Sequence, residues 1–425
     1  MPGMRIGIVG NIPKPYGGVA TTCYQQTYQL IAAGNQVTFY DRDRHLEKLC
    51  PDGLNNYTVT RTRKLSVALR LILDIPRHWL TNRPFRIFFS HFVQDTMRYH
   101  LLTRYPATAL RMLLRSMEMI RTFEGQNIEI LHGHRALHDA WVAQLLAQYY
   151  FRCPFVVTMY TSEFTMPAQK PWRQIAIDNC NRADAVVCIS QYAQDCMLNA
   201  GATPHRSVVN YLGVEPSHFA DPSPDKIQAV RHRFGISADC PIILYIGWLI
   251  ERKGPQVLME ALPQVKQLPW KMIFVGPDKG MKDVLSARAK ALKLQDRVIA
   301  SDAIPNDEIP ALYSLGNIFV FPTLSLDEGF GLVALEAMAH GLPVIASRTG
   351  AIPEVVVDHS TGLFFTSGDS NELASCLLNL LSQPNLRTQM GESARARARE
   401  FTWEDNCARL MQTYQDLIHQ YGKPI

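Results

Sequence analysis

The chain has 425 residues, which at roughly 150 residues per domain fits two large or three smaller domains, each able to bury a full core. Hydrophobic residues make up 47% and charged residues 19%, which excludes a disordered chain and a coiled coil. The formal charge is +5, and the nine cysteines include no C-x-x-C pair, which argues for a reducing compartment and against a disulfide scaffold or a zinc module.

The N-terminus, MPGMRIGIVG, has no charged stretch followed by a long apolar one, so no signal peptide is expected. The apolar segment 65–80 is broken by Arg70, Asp74, Pro76 and Arg77, whereas a membrane-crossing helix needs about 20 predominantly apolar residues. A cytoplasmic protein, soluble or peripheral on a membrane, is the expectation. Short β-branched runs then alternate with helical stretches. The first series of expected strands is 5–9, 36–40, 128–131, 155–158, 185–189 and 207–211. A second series is 242–246, 271–275, 297–300, 318–321, 343–346 and 362–365. Such alternation predicts parallel sheets covered by helices, an α/β doubly wound class. Two series imply two Rossmann-like domains facing across a cleft, with ligands at the strands' C-terminal ends. Pro, Ser and Asp cluster between Pro216 and Pro224, which sets expected domains at 1–218 and 219–400, followed by a terminal helix within 401–425.

Between its second and third expected strands the first domain carries an oversized connection, about 43–125. From Arg61 to Arg121 there are twelve Lys/Arg against Asp74, Asp95 and Glu118, a net +9 that leaves −4 for the rest of the chain. Within it, 110–121 sets Leu110, Leu113, Leu114 and Met117 on one helical face and Arg111, Arg115 and Glu118 on the other, with Arg121 spoiling the apolar side. Trp79, Phe85, Phe88, Phe89 and Phe92 are interleaved with arginines. Residues 61–121 fit either an anionic membrane surface or a helical insertion packed on its own domain with a solvated basic face. Nucleic acid is not expected, because no recognised binding module accompanies the charge.

The most informative stretch follows the expected strand 318–321: Glu328-Gly329-Phe330-Gly331-Leu332, then an apolar helix containing Glu336, ended by Gly341 and by Pro343 entering the next strand. Gly329 and Gly331 let the backbone approach a ligand, and free N–H groups at the helix start favour a diphosphate. Carboxylates are poor phosphate partners but good acceptors for sugar hydroxyls, so Glu328 and Glu336 fit the two sugars of a nucleotide-sugar. The bland alternatives are a Glu328 favoured by the helix dipole and a Glu336 buried against some distant arginine.

This segment resembles the E-x7-E signature of the family 4 retaining glycosyltransferases, whose GT-B fold has two Rossmann domains. The resemblance implies that Glu328 contacts the transferred sugar and Glu336 the nucleotide ribose. It extends along almost the whole chain. Pro15-Tyr16-Gly17-Gly18-Val19 resembles the family's GG loop, with Gly17 and Gly18 toward the diphosphate. Ile130-Leu131-His132-Gly133-His134 resembles its H-x-H, with His134 reaching the donor sugar. The segment from Gly247 to Gly254 aligns with G-R-L-x-x-x-K-G, so Lys253 would neutralise the leaving diphosphate. Here Trp248 replaces the usual Arg, and Arg252 is the candidate substitute cation. The family usually has His at position 160; Tyr160 and Glu163 lie in a loop that tends to face the acceptor and mark an unusual one. Val275 to Asp278 falls near the nucleotide base, and Thr349 to Glu354 reads as structural. The terminal helix is implied to cross back onto the first domain.

The expected reaction is therefore metal-independent, with a nucleotide-sugar donor, UDP- or GDP-linked, and a hydroxyl acceptor, a lipid-linked or polysaccharide precursor more than a small soluble molecule. No side chain stands out as a covalent nucleophile. The family implies retention by attack on the leaving group's own face. Two rivals remain from the sequence. An NAD(P)-dependent oxidoreductase finds a first strand and Asp41, but no G-x-G-x-x-G follows that strand. A nucleotide-sugar epimerase of the same architecture would give a sugar product without an acceptor. Asp41-Arg42-Asp43 is formally a D-x-D metal motif, with no supporting carboxylates nearby, and reads as a solvated strand end.

Overall fold

Apolar β-branched runs that are hydrophobic on both faces can only be buried between helices, and the chain builds two such sheets. The computed structural model describes residues 3–10, 17–41, 57–59, 75–165, 171–236 and 240–422. It divides into one unit of Met1–Tyr211 with Trp403–Ile425 and a second of Leu212–Thr402.

The sheet of the first unit has seven parallel strands: β1 (Arg5–Gly10), β2 (Gln36–Asp41), β3 (Tyr57–Val59), β4 (Ile130–His134), β5 (Phe155–Met159), β6 (Ala185–Cys188) and β7 (Ser207–Val209), in the order β3-β2-β1-β4-β5-β6-β7. Ile6 lies opposite Ile130 and Val9 opposite Gly133, so the chain order reverses between β1 and β4. Every residue of β4, β5 and β6 is buried. Helix α1 (Gly18–Ala32) joins β1 to β2. The oversized connection holds the unexpected strand β3 and the helices α2 (75–81), α3 (Arg83–Arg98), α4 (Leu101–Arg104) and α5 (Pro106–Phe123). Asn82 starts α3 by accepting the Phe85 N–H at 3.0 Å, with Pro84 in the first turn.

In this insertion part of the aromatics follow the packed reading, and the expected apolar face of one helix is corrected in part. Phe85, Phe88 and Phe92 are buried in the unit, with Phe92 stacked 5.8 Å from Trp141, so they are core rather than surface aromatics. In α5 the buried residues are Ala109, Met112, Ser116, Met117, Met119, Ile120, Thr122 and Phe123; of the expected apolar face Met117 is buried and Leu113 and Leu114 are half-buried, while Leu110 is 57% exposed. The window 110–121 cut off Ala109 and Phe123, which fix the true apolar face once the helix runs its full length. Helices α6 (Asp139–Leu146), α7 (Ser162–Thr165), α8 (Trp172–Arg182) and α9 (Gln191–Asn199) complete the alternation.

The second unit follows α10 (Pro224–Arg233) with β8 (Ile242–Ile246), α11 (Pro255–Ala261), β9 (Lys271–Val275), α12 (Lys282–Ala291), β10 (Val298–Ser301), α13 (Ile309–Leu315) and β11 (Ile318–Phe321). It ends with α14 (Leu332–Ala339), β12 (Val344–Ser347), α15 (Ile352–Val355), β13 (Gly362–Phe365), α16 (Ser370–Ser382) and α17 (Pro384–Ala398). Its six parallel strands lie in the order β10-β9-β8-β11-β12-β13, reversing between β8 and β11. The two sheets thus define the doubly wound architecture twice, each with its own switch point, where such sheets bind ligands.

The units divide at Tyr211/Leu212, ahead of the Pro-rich seam. The seam and the residues just before it are tied to the second unit: the Val214 N–H donates to Phe401 O at 3.1 Å, and Arg395 Nη2 donates to Phe219 O at 2.6 Å. The last helix, α18 (Trp403–Tyr421), belongs to the first unit, where Cys407, Leu410, Tyr414 and Leu417 share a core with Ile6, Ile8, Val156 and Val187. Among the described residues no helix is long and apolar enough to cross a membrane.

Candidate active site

In the second unit the loops leaving β8 and β11 are fastened to each other. Gly254, at φ 73°, lies so close that a Cβ there would sit 1.8 Å from Pro322 O. The Leu324 N–H donates to Arg252 O at 2.9 Å. This approach brings Lys253 to Glu328, and Lys253 Nζ forms an ion pair with Glu328 Oε2. The two side chains are only 19% and 13% exposed. Next to them Arg252 pairs with Asp327 at 3.3 Å. From the other side Gly350, at φ 58°, lets the segment 349–351 press on Glu328, whose carbonyl accepts the Ala351 N–H at 2.9 Å. The Thr349–Glu354 stretch thus braces Glu328.

Helix α14 starts at Gly331, where no side chain caps its first N–H groups. Those amides and the helix dipole favour an anion. Gly329 and Phe330 are buried and Leu332 half-buried; the Phe330 ring packs on Phe401 at 5.8 Å. Glu336 meets no arginine: the Tyr313 hydroxyl donates to its Oε2 at 3.0 Å, and Tyr313 stacks on His340 with ring centroids 5.3 Å apart. Burial raises the Glu336 carboxyl to about 7; the Tyr313 hydrogen bond opposes the rise and Glu215 adds to it.

Arg252 is half exposed and held by Asp327, while the cation set against Trp248 is Lys279, with Nζ 5.1 Å from the ring centre. Lys279 follows directly on the Val275–Asp278 segment, and its N–H donates to Leu249 O at 3.0 Å. Sequence reasoning passed over both Lys279 and Tyr313; the first could have been sought as any Lys or Arg in the loop after β9.

In the first unit His134 ends β4 at the switch point. Gly133 permits this packing, since a Cβ there would lie 2.7 Å from Ala140 Cβ. His134 stacks on His132 at 4.6 Å, and its Nδ1 lies 3.1 Å from the Tyr160 hydroxyl. Its Nε2 is buried without a hydrogen-bond partner. Burial drives the imidazole down to about 3, so it is neutral at physiological pH. His132 in turn is held by the Tyr414 hydroxyl at Nδ1, 2.5 Å, and by Thr158 Oγ1 at Nε2, 2.8 Å. The terminal helix therefore supports the histidine pair.

Tyr160 and Glu163 are 4% and 1% exposed, not surface groups. The Tyr160 hydroxyl meets both His134 and the Thr22 side chain. Glu163 accepts the Ala136 N–H at 3.2 Å, tying down a turn in which Arg135 (φ 69°) and His138 (φ 49°) are left-handed. Gly17 and Gly18 open α1 and are exposed, with no side-chain cap on its N–H groups; Pro15 and Tyr16, like Arg42 and Asp43 of the D-x-D triplet, lie outside the described residues. Among the described residues no three His, Cys, Asp or Glu side chains cluster as a metal site.

Each unit is a doubly wound sheet with its own switch point, His134 at one and Lys253, Glu328 and the uncapped start of α14 at the other, which is the layout of an enzyme built from two Rossmann units. Two family models match consecutive parts of the chain, Glycosyltransferase Family 4 over residues 16–218 and Glycosyl transferases group 1 over residues 226–397. The chain belongs to these glycosyltransferase families. It is 31% identical over 239 residues to a GDP-mannose-dependent alpha-(1-6)-phosphatidylinositol monomannoside mannosyltransferase of Mycolicibacterium smegmatis, a match covering 54% of this chain and 62% of the relative. The chain thus spans about six tenths of the length of the relatives it matches first. In fold it is similar to a glycosyltransferase of Rickettsia africae, with TM-score 0.75 and 18% identity over 98% of this chain and 99% of that one. It is also similar to Anabaena HepE in complex with UDP and glucose, with TM-score 0.73 and 20% identity over 97% of this chain and all of the other.

Proposed function

We propose that this chain is a metal-independent, retaining glycosyltransferase that moves a sugar from a nucleoside-diphosphate sugar, GDP- or UDP-linked, to a hydroxyl of a lipid-linked or polysaccharide precursor. The observation that carries the reading is the Lys253–Glu328 pair beside the uncapped start of α14, with Glu336 further along the same helix. Lys253 and the α14 amides take the diphosphate, Glu328 the sugar hydroxyls and Glu336 the ribose. The unpaired Nε2 of His134 is read as a sugar contact, and the exposed Gly17 and Gly18 as a diphosphate contact. The acceptor oxygen forms its bond to the anomeric carbon as the bond to phosphate breaks, and the acceptor proton passes to the departing phosphate oxygen.

A thermal-shift screen of nucleotides and nucleotide-sugars tests the donor half. A ligand at 100 times its Kd stabilises the native state by about 2.7 kcal/mol, so one base and one sugar should stand out. A uniform lack of response across GDP-, UDP- and ADP-sugars rejects the reading. Transfer is expected to persist in EDTA.

A further inference from the structure

The first unit carries a second polar site on its insertion, away from the residues assigned above. Between α2 and the start of α3 lies a basin of about 510 Å³ lined by Arg77, His78, Thr81, Asn82, Arg83, Pro84 and Arg121, with no carboxylate in its wall among the described residues. Its frame is fixed. Asn82 accepts the Phe85 N–H at 3.0 Å and donates to the Tyr150 hydroxyl at 3.0 Å, which donates to Glu124 at 2.9 Å. The His78 ring packs on Phe85 at 5.5 Å. Arg86 holds the end of α2 by donating to Trp79 O and Leu80 O at 3.1 and 3.2 Å.

The arginines of this unit differ in their pairing. Arg98 is matched by Asp178 at 3.2 Å and Arg115 by Asp139 at 2.5 Å, while Asp95, an acid of this same insertion, is taken by Arg182. Among the described residues, Arg77 and Arg83 have no acidic partner. Two guanidinium forks at one basin fit a phosphate group, which they can grip bidentately. Beside the basin stand two apolar side chains that a dissolved anion would leave unexplained. Leu80 is 74% exposed and Trp79 43%, the latter held edge-on against Phe89 at 5.4 Å. An indole and a leucine presented next to clustered arginines suit the boundary between headgroups and acyl chains.

We propose that this basin binds the phosphate of an anionic phospholipid headgroup, with Trp79 and Leu80 entering the acyl boundary beside it. The inference deepens the lipid-linked acceptor of the proposed function by holding the enzyme at the surface where such an acceptor lies. Vesicle binding needs no donor and sugar transfer needs no vesicle, so either can fail alone.

The test is co-sedimentation of the full chain with vesicles of phosphatidylcholine, with and without phosphatidylglycerol, at low and high salt. Binding is expected only with phosphatidylglycerol. R77S/R83S should weaken it about 30-fold, the equivalent of about 1 kcal/mol per arginine. R77K/R83K, which keeps the charge but loses the forks, should fall between. W79S/L80S should remove the binding that survives high salt. Melting temperatures of all variants report folding, and the lysine variant keeps the test open if the serine one is unstable. Equal binding to phosphatidylcholine alone, or unchanged binding by both arginine variants, overturns the proposal. So does stabilisation by millimolar inorganic phosphate without vesicle binding, or capture of duplex DNA in its place.

Discussion

Lys253 Nζ and Glu328 Oε2 form an ion pair that spans the loops leaving β8 and β11, so the two groups proposed to meet the donor satisfy each other. Under the proposed function donor binding is an exchange: the diphosphate takes the lysine and the sugar hydroxyls take the carboxylate. Removing either partner strands the other in a largely shielded position. Lys253→Ala and Glu328→Ala should each lose about 10²–10³ in transfer rate while retaining the fold. Each should melt below the wild type, and the double variant should recover part of that loss, a coupling measurable by a double-mutant cycle.

The Glu336 carboxyl, raised by burial to about 7, gives a pH dependence with a definite sign. Its folded value lies above the ordinary carboxylate value of about 4.3, so its contribution to stability is full below about pH 4.3 and is lost as pH rises through about 7. Glu336→Gln should therefore melt higher relative to the wild type at pH 8 than at pH 5. In the proposed site ribose hydroxyls donate to the ionised form, so donor affinity should climb from about pH 6 to about pH 8 and binding below pH 7 should release a proton. Calorimetry in buffers of different ionisation enthalpy reads this directly. Tyr313→Phe removes a bond that favours the carboxylate and should move the affinity profile to higher pH.

Tyr160 is a positioning residue for His134. Tyr160→Phe should lower turnover about 2- to 10-fold, the worth of one hydrogen bond, with donor KM little changed. Tyr160→His, which restores a ring nitrogen, should regain part of it. Nitrogen-15 NMR of the histidines should show the His134 tautomer balance shifting in the phenylalanine variant; an unmoved signal means the hydroxyl does not orient the ring.

Gly254→Ala would place a methyl 1.8 Å from Pro322 O at a left-handed φ. It should cost more than about 1 kcal/mol and pull Lys253 off Glu328. Melting and transfer should fall together.

Much of this was legible in the sequence. The strands 242–246, 271–275, 318–321 and 362–365 end where apolar runs end, because a doubly buried strand leaves no choice of face. Glu328, Lys253 and His134 stood out because glycines and strand ends flank them. The strand β3 did not, being three residues long inside a charged connection. The inward face of α5 was misjudged from a window that omitted its ends. Tyr313 and Tyr414 were invisible because their partners, Glu336 and His132, are 23 and 282 residues away and only the fold brings them together.

Sugar transfer is the activity to measure. The measurement is release of nucleoside diphosphate from the donor that best stabilises the chain, followed with and without a lipid extract as acceptor, beside Glu328→Ala. Release that requires the extract, yields a glycoside of unchanged anomeric configuration and disappears in the variant is the expected result. An altered sugar formed without acceptor, or release undiminished in Glu328→Ala, would contradict it.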